Sequence, residues 1–292
     1  TGLSTGVYSE YVTSDSFVIR RIQQLLSLDQ VFVLITGTSL PVGTELRAIE
    51  LCKERGIKSV AVLDYWSNYS KRFEIDGRYI WPDYLFVMDE VAKREALESG
   101  IPSKIIEIVG LPSMDKVTGL RLKENSPKDE ICFLSQPLSM LYGESMGYSE
   151  KTVIPDIIKA AKYLNLKLKI KFHPRETDYI KAEYGYYSTF ESIEDIATKY
   201  RYVIGMNTIA MLYIAIIGNN NLFCYEPNLI GEDYCICNKL DITMRIDSYK
   251  DLIECLKKSA NTRRKRLDHY LWLDGKSTWR CVKRIEEILS GE

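Results

Sequence analysis

The feature that most constrains this chain is a repeated alternation of short, almost continuously apolar runs with amphipathic stretches of helical period. "VFVLITGTS" (31–39) is β-rich and ends in small polar residues. "GTELRAIELCKERGI" (43–57) then sets Leu46, Ile49, Glu50 and Lys53 at helical spacing and stops at Gly56. "KSVAVLDYW" (58–66) and "DYLFVMDE" (83–90) read as strands, "VAKREALESG" (91–100) as a helix closed by glycine, and "KIIEIVGLP" (104–112) as a further strand. Strands that are apolar along their whole length are covered on both faces. That implies a parallel sheet flanked by helices.

Residues 113–129, "SMDKVTGLRLKENSPKD", are polar, lack a core period and read as a linker. A second series follows, with strands at 130–137, 166–174, 200–206 and 221–227. Its helices are expected near 150–164, 191–199, 208–217 and 248–259, and "STWRCVKRIEEILSG" (277–291) reads as a terminal amphipathic helix. The fold class expected is α/β, with two Rossmann-like parallel-sheet domains facing a cleft. The domains are expected at 1–122 and 123–272, with 273–292 packing back on the first. At 292 residues each half can bury its own core.

The formal charge is −1, so no global field draws the chain to nucleic acid. Seven scattered cysteines, several within apolar runs, read as reduced core thiols and fit a cytoplasmic setting. Cys235-x-Cys237 is too tight for a usual zinc site and lacks partners, so no metal and no cofactor are expected. No apolar run reaches the ~18 residues of a membrane span. "TRRKR" (262–266) leaves peripheral association with the inner face of a membrane open, though such a run is usually a solvated helix face. The chain opens on Thr1, where a natural start would be Met, and reads as trimmed or processed, without a signal peptide.

In paired α/β units ligands bind at the C-terminal ends of the strands. The residues standing there are therefore the candidates. "TGTS" offers Thr38 and Ser39 for a phosphate or oxyanion, or is a plain capped turn. It is not a Walker loop. Asp64 can act as a general base or cap its turn; Tyr65, Trp66, Asn68 and Arg72 behind it read as an acceptor-cleft wall, or the Trp and Tyr are simply core.

In the second series come Ser135 and Gln136, then His173-Pro174-Arg175-Glu176. The proline ends the strand and holds His173 at the rim. The imidazole can donate to a phosphate, Arg175 can grip it bidentately, and Glu176 can orient Arg175 or take a ribose hydroxyl. Asn207 or Thr208 caps an apolar helix whose first turn makes an anion site. Glu226 is placed to accept sugar hydroxyls, or is simply solvated.

"GIKSVAVLDYWSNYSKRF", "PDYLFVMDEVAKREALESGIP" and "IVGLPSMD" resemble the acceptor half of GT-B glycosyltransferases. "FLSQP", "KFHPRE" and "GMNTIAMLYIA" resemble the donor half. The likeness is to bacterial surface-polysaccharide enzymes: sialyl- and Kdo-transferase-like proteins, CDP-polyol phosphotransferases and UDP-sugar 2-epimerases. It implies a cytoplasmic, metal-independent transfer of a sugar from a phosphate-activated donor to a glycan acceptor. His173 and Asn207-Thr208 would hold the donor phosphate. Asp64, then Glu45, would be the acceptor base. The alternatives are a phosphoribosyl-pyrophosphate-dependent transferase, a UDP-sugar 2-epimerase or hydrolase, and a non-catalytic nucleotide-binding subunit.

Overall fold

The computed structural model describes residues 15–26, 31–40, 43–118, 128–217, 221–258 and 270–291. The chain forms two compact units, Thr1–Asp115 with Tyr270–Glu292, and Lys116–His269.

In the first unit, helix α1 (Asp15–Leu26) precedes β1 (Val33–Thr36), α2 (Thr44–Glu54) and β2 (Lys58–Val62). A small hairpin, β3 (Glu74–Ile75) and β4 (Arg78–Tyr79), interrupts the alternation before β5 (Tyr84–Val87), α3 (Glu90–Glu98) and β6 (Ile106–Ile108). The hairpin turns on Asp76-Gly77, both at positive φ (51° and 73°), the Asp-Gly signature of a two-residue turn. The sheet runs β1-β2-β5-β6, and its pairings are parallel. Val60, Ala61, Leu85, Phe86 and Val87 are buried, as strands covered on both faces must be.

In the second unit the order is β7 (Lys128–Leu134), α4 (Leu138–Tyr142), α5 (Glu150–Tyr163), β8 (Lys167–Lys171), α6 (Asp178–Tyr184) and α7 (Ile193–Lys199). Then come β9 (Tyr200–Gly205), α8 (Ile209–Ile217), β10 (Leu222–Tyr225), α9 (Ile236–Lys239), β11 (Met244–Ile246) and α10 (Tyr249–Lys258). The parallel sheet is ordered β11-β10-β9-β7-β8. Its core joins Ile131 and Phe133 to Ile154 and Ile157 of α5, and to Ile204 and Phe223.

The chain leaves β7 for β8 on one side, then crosses back to build β9, β10 and β11 on the other. The topological switch point therefore lies between β7 and β9, where connections diverge and open a crevice at the carboxyl ends.

Helix α11 (Ser277–Ser290) belongs to the first unit. Its Cys281, Ile285 and Ile288 pack on Val60, Phe86 and Val109. Asp115 caps it, accepting the N–H groups of Ser277 (3.0 Å) and Thr278 (2.7 Å). Gly110, at φ 94°, permits the approach: a Cβ there would lie 2.4 Å from Ser277 Oγ. The return to the first unit begins at Tyr270, three residues before the expected boundary of 273, because the indole of Trp272 is buried against Trp66 with ring centroids 6.1 Å apart.

Two expectations change. The strand expected at 104–112 shortens to Ile106–Ile108, with single 3-10 turns on either side. Residues 113–118 are not an exposed linker, since Met114 and Val117 are buried; 119–127 lie outside the described residues. So do 262–266 and His269. The seven cysteines are free thiols, six of them buried. Among the described residues, no helix is long and apolar enough to cross a membrane, and no cluster of side chains could hold a metal ion.

Candidate functional site

The switch point of the second unit is tied across by side chains. Gln136, following β7, donates from Nε2 to the carbonyl of Asn207, following β9, at 3.3 Å. Ser135 donates from Oγ to Glu176 Oε2, following β8, at 2.7 Å. Three adjacent strand ends are thus joined into one edge. The sequence forces this: each strand breaks in a short polar segment, and the parallel register aligns Leu134 with Lys171 and with Gly205.

His173 is half-buried at this edge. Its Nδ1 accepts the N–H of Arg175 at 3.1 Å, so in the neutral ring the proton sits on Nε2. Burial holds the imidazole below its usual pKa, and the nearby Arg175 and Lys181 add to that. A neutral ring with a donor at Nε2 is suited to a phosphate oxygen. Arg175 is exposed and makes no ion pair among the described residues.

Thr208 opens α8. Its Oγ1 accepts from Ala210 N at 3.3 Å, and its carbonyl accepts from Met211 N at 3.1 Å. Gly205 lets this turn close, because a Cβ there would meet Met211 Sδ at 2.6 Å.

Beneath this rim the carboxylates are buried. Glu176 is only 3% exposed, and its Oε1 has no hydrogen-bond partner; Gln136 Oε1 is likewise buried and unpartnered. The expectation that Glu176 orients Arg175 or grips a ribose is therefore corrected: its side chain turns inward to Ser135. Glu226 is corrected too. It is fully buried, accepting Tyr148 Oη–H at 2.8 Å and Asn238 Nδ2–H at 3.4 Å, and so takes no sugar hydroxyl from solvent. Burial, with Cys235 and Asp233 nearby, pushes its acid up to about 8.

Sequence reading missed Glu150, which is fully buried and accepts Ser139 N–H at 2.9 Å and the Ser139 hydroxyl. It also missed Tyr148. Position alone marks neither, since both lie well after a strand end; only the "YSEKT" capping pattern hinted that α5 starts there.

The strand-end residues of the first unit also meet, but mostly bind one another. Arg72 is buried and donates to Ser67 O (3.0 Å), to Thr38 Oγ1 (3.1 Å), to the Thr38 carbonyl and to Asp64 Oδ1 (2.9 Å). Ser39 Oγ donates to Glu45 Oε1 at 2.5 Å. Thr38, Ser39, Glu45 and Arg72 line a pocket with Gly37, Gly43 and Phe73. Asp64 is outside that lining and its side chain is 73% exposed.

Trp66 is no cleft wall. It is fully buried, and its Nε1 donates to Asp89 (3.0 Å), which also takes Trp272 Nε1 (3.0 Å) and caps α3 at Ala92 N (2.8 Å). Arg72 does line the pocket, with its guanidinium committed to the β1 turn as a clamp. Tyr65 is half-exposed, and Asn68 turns the chain at φ 55°.

No protein-family model and no curated protein matches the chain. Solved structures do. A UDP-N-acetylglucosamine 2-epimerase from Rickettsia bellii is 15% identical and superposes with a TM-score of 0.60, covering 97% of this chain and 80% of its own. The glycotransferase of kitacinnamycin is 11% identical with a TM-score of 0.57, covering 93% and 80%. Anabaena HepE, solved in complex with UDP-glucose, is 8% identical with a TM-score of 0.51, covering 94% and 82%. The chain has the GT-B-like fold. The two α/β units, each with its own parallel sheet, agree with that fold.

Proposed function

We propose that this protein is a GT-B-like glycosyltransferase that moves a sugar from a phosphate-activated nucleotide donor to a glycan acceptor, in cytoplasmic assembly of a surface polysaccharide. The observation that carries this reading is the Gln136–Asn207 bridge across the switch point of the second unit, with His173 and the start of α8 beside it. An imidazole Nε2–H, the first turn of α8 and the guanidinium of Arg175 give donors of three kinds for one donor phosphate. Their interaction strengthens as the departing phosphate gains charge, which is how such a site lowers a barrier. Ser135, Glu176 and Gln136 position that rim from below.

In the first unit, Glu45 is the better base for the acceptor hydroxyl. It lines the pocket and already accepts a hydroxyl hydrogen, that of Ser39, whereas Asp64 faces solvent beside Arg72. The experiment is a thermal-shift panel with CMP, CDP, UDP, GDP, ADP and phosphoribosyl pyrophosphate. A ligand at about 100 times its dissociation constant stabilises by roughly 2.7 kcal/mol. One responder is expected, lost in His173→Ala; that variant should also lower turnover at least tenfold while melting as the wild type does. Full turnover in His173→Ala would end the assignment.

A second reading, a UDP-sugar 2-epimerase, is favoured by the structural likeness to proteins so described. It differs in one observable: a changed sugar nucleotide would form with no acceptor present.

A further inference from the structure

Glu176 sits where a negative charge is hardest to keep. Ser135 gives Oε2 one hydrogen bond, while Oε1 is buried without a donor. Gln136, next in the chain to Ser135, also has a buried oxygen without a partner. Its Nε2 is committed to the Asn207 carbonyl, so the atom left over is the oxygen, also buried and unpartnered. An ionised Glu176 would put a full charge on a carboxylate one of whose oxygens is buried without a donor. A buried acceptor left unmade is costly, and a buried charge without a partner more so.

The groups facing Glu176 do not supply that partner. From β7 comes only the Ser135 hydroxyl. From α5 comes Glu150, itself fully buried, whose charge opposes a second one. From α6, Lys181 favours the charged form, but its Nζ donates to the Pro174 carbonyl at 3.3 Å. On its own turn, the Thr177 N–H helps the carboxylate, Arg175 is exposed, and His173 is turned to the Arg175 N–H. Burial is the largest effect and raises the acid above its usual range, with Glu150 adding to it.

We propose that Glu176 works as a neutral carboxylic acid, and that its proton is linked to anion binding at this edge. The link rests on the donor-phosphate reading above. A phosphate at His173 and the start of α8 meets a rim whose underlying carboxyl group carries no charge. Ionising Glu176 sets a negative charge beneath the ligand and presses its side chain, against Glu150, to leave the turn. By reciprocity, binding phosphate holds the proton on Glu176. The proton comes from solvent, one per phosphate bound, when Glu176 is ionised in the free protein. Affinity then falls as pH rises, by up to about tenfold per pH unit for one linked proton.

Glu176→Gln separates the states, because its amide carbonyl can accept from Ser135 while its amide N–H replaces the acid proton. Two measurements decide the matter. The first needs no ligand: the infrared difference spectrum of wild type minus Glu176→Gln at neutral pH. It should show the carbonyl stretch of a protonated carboxylic acid; a carboxylate signal in its place overturns the proposal. The second is the affinity for UDP, or for inorganic pyrophosphate, across a pH series in wild type and Glu176→Gln. The wild-type decline should flatten in Glu176→Gln. A decline unchanged in Glu176→Gln assigns the linked proton elsewhere and overturns the link. If no nucleotide or pyrophosphate binds the wild type, the donor-phosphate reading and the link fall together, while the infrared result still reports the state of Glu176.

Discussion

At the strand ends of the first unit, opposite charges and donors face one another. Arg72 is taken up by Thr38, Ser67 and Asp64, and Asp89 by two indoles and a helix start. At the strand ends of the second unit, charges are sorted by depth. Glu176 and Glu226 lie buried, as does Glu150 at the start of α5, while His173 and Arg175 stand at the rim. The same residue types therefore do different work. In the first unit they knit a turn, leaving a pocket around Glu45. In the second they leave donors pointing outward over acids held below.

The sharpest way to test this contrast is pH. Glu226 has its acid raised to about 8, against an ordinary value of 4.5. The folded second unit thus holds a proton that the unfolded chain has released between those values. This stabilisation is fully present below about pH 4.5 and is lost as pH rises towards 8, on the order of 5 kcal/mol in all. Denaturant unfolding of wild type against Glu226→Gln should show that slope removed in the variant. An equal slope in both would mean the acid is not held neutral.

Asp89→Ala should come next. It strands two indole N–H groups and removes a helix cap, at about 3 kcal/mol or more. The loss should appear in the unfolding of the first unit, followed by tryptophan fluorescence. A loss below about 1 kcal/mol would deny that this edge is knit by Asp89.

Gly147→Ala probes a loop that brings Tyr148 to Glu226. At φ 79°, with a new Cβ 2.1 Å from the Asn228 carbonyl oxygen, it should cost about 2 kcal/mol or more. Unchanged melting would show that the loop shifts freely. Least affected should be Asp64→Ala. Arg72 is buried but keeps its hydrogen bonds to Thr38 and Ser67, and Asp64 is itself 73% exposed, so the loss should be under about 1 kcal/mol. A large loss of stability there would erase the distinction between the clamp and its exposed counterion.

Much of the fold was legible in the chain. Each expected strand and helix has a counterpart, because apolar runs and helical periods are local signals, but α1 (Asp15–Leu26), α6 (Asp178–Tyr184) and β11 (Met244–Ile246) were not anticipated. The hairpin at 74–79 was not anticipated, although its Asp-Gly turn is written in the sequence. The site was legible as a set of positions. "HPRE" and "GMNT" mark where strands break, and both stand at one edge. Which way each side chain turns was not legible. Trp66 and Glu226 looked like surface groups because they follow strands, yet both are wholly buried.

The sequence by itself determined two α/β units, most of their helices and strands, and the polar segments at the strand ends, since backbone propensity and hydrophobic period act over a few residues. Only the tertiary structure decided that Gln136 reaches Asn207 across 71 residues, that Ser135 reaches Glu176 across 41, and that Trp272 returns across 183 to share Asp89 with Trp66. Those contacts depend on strand order and register. Both are set by burying the whole sheet at once, not by any segment of it.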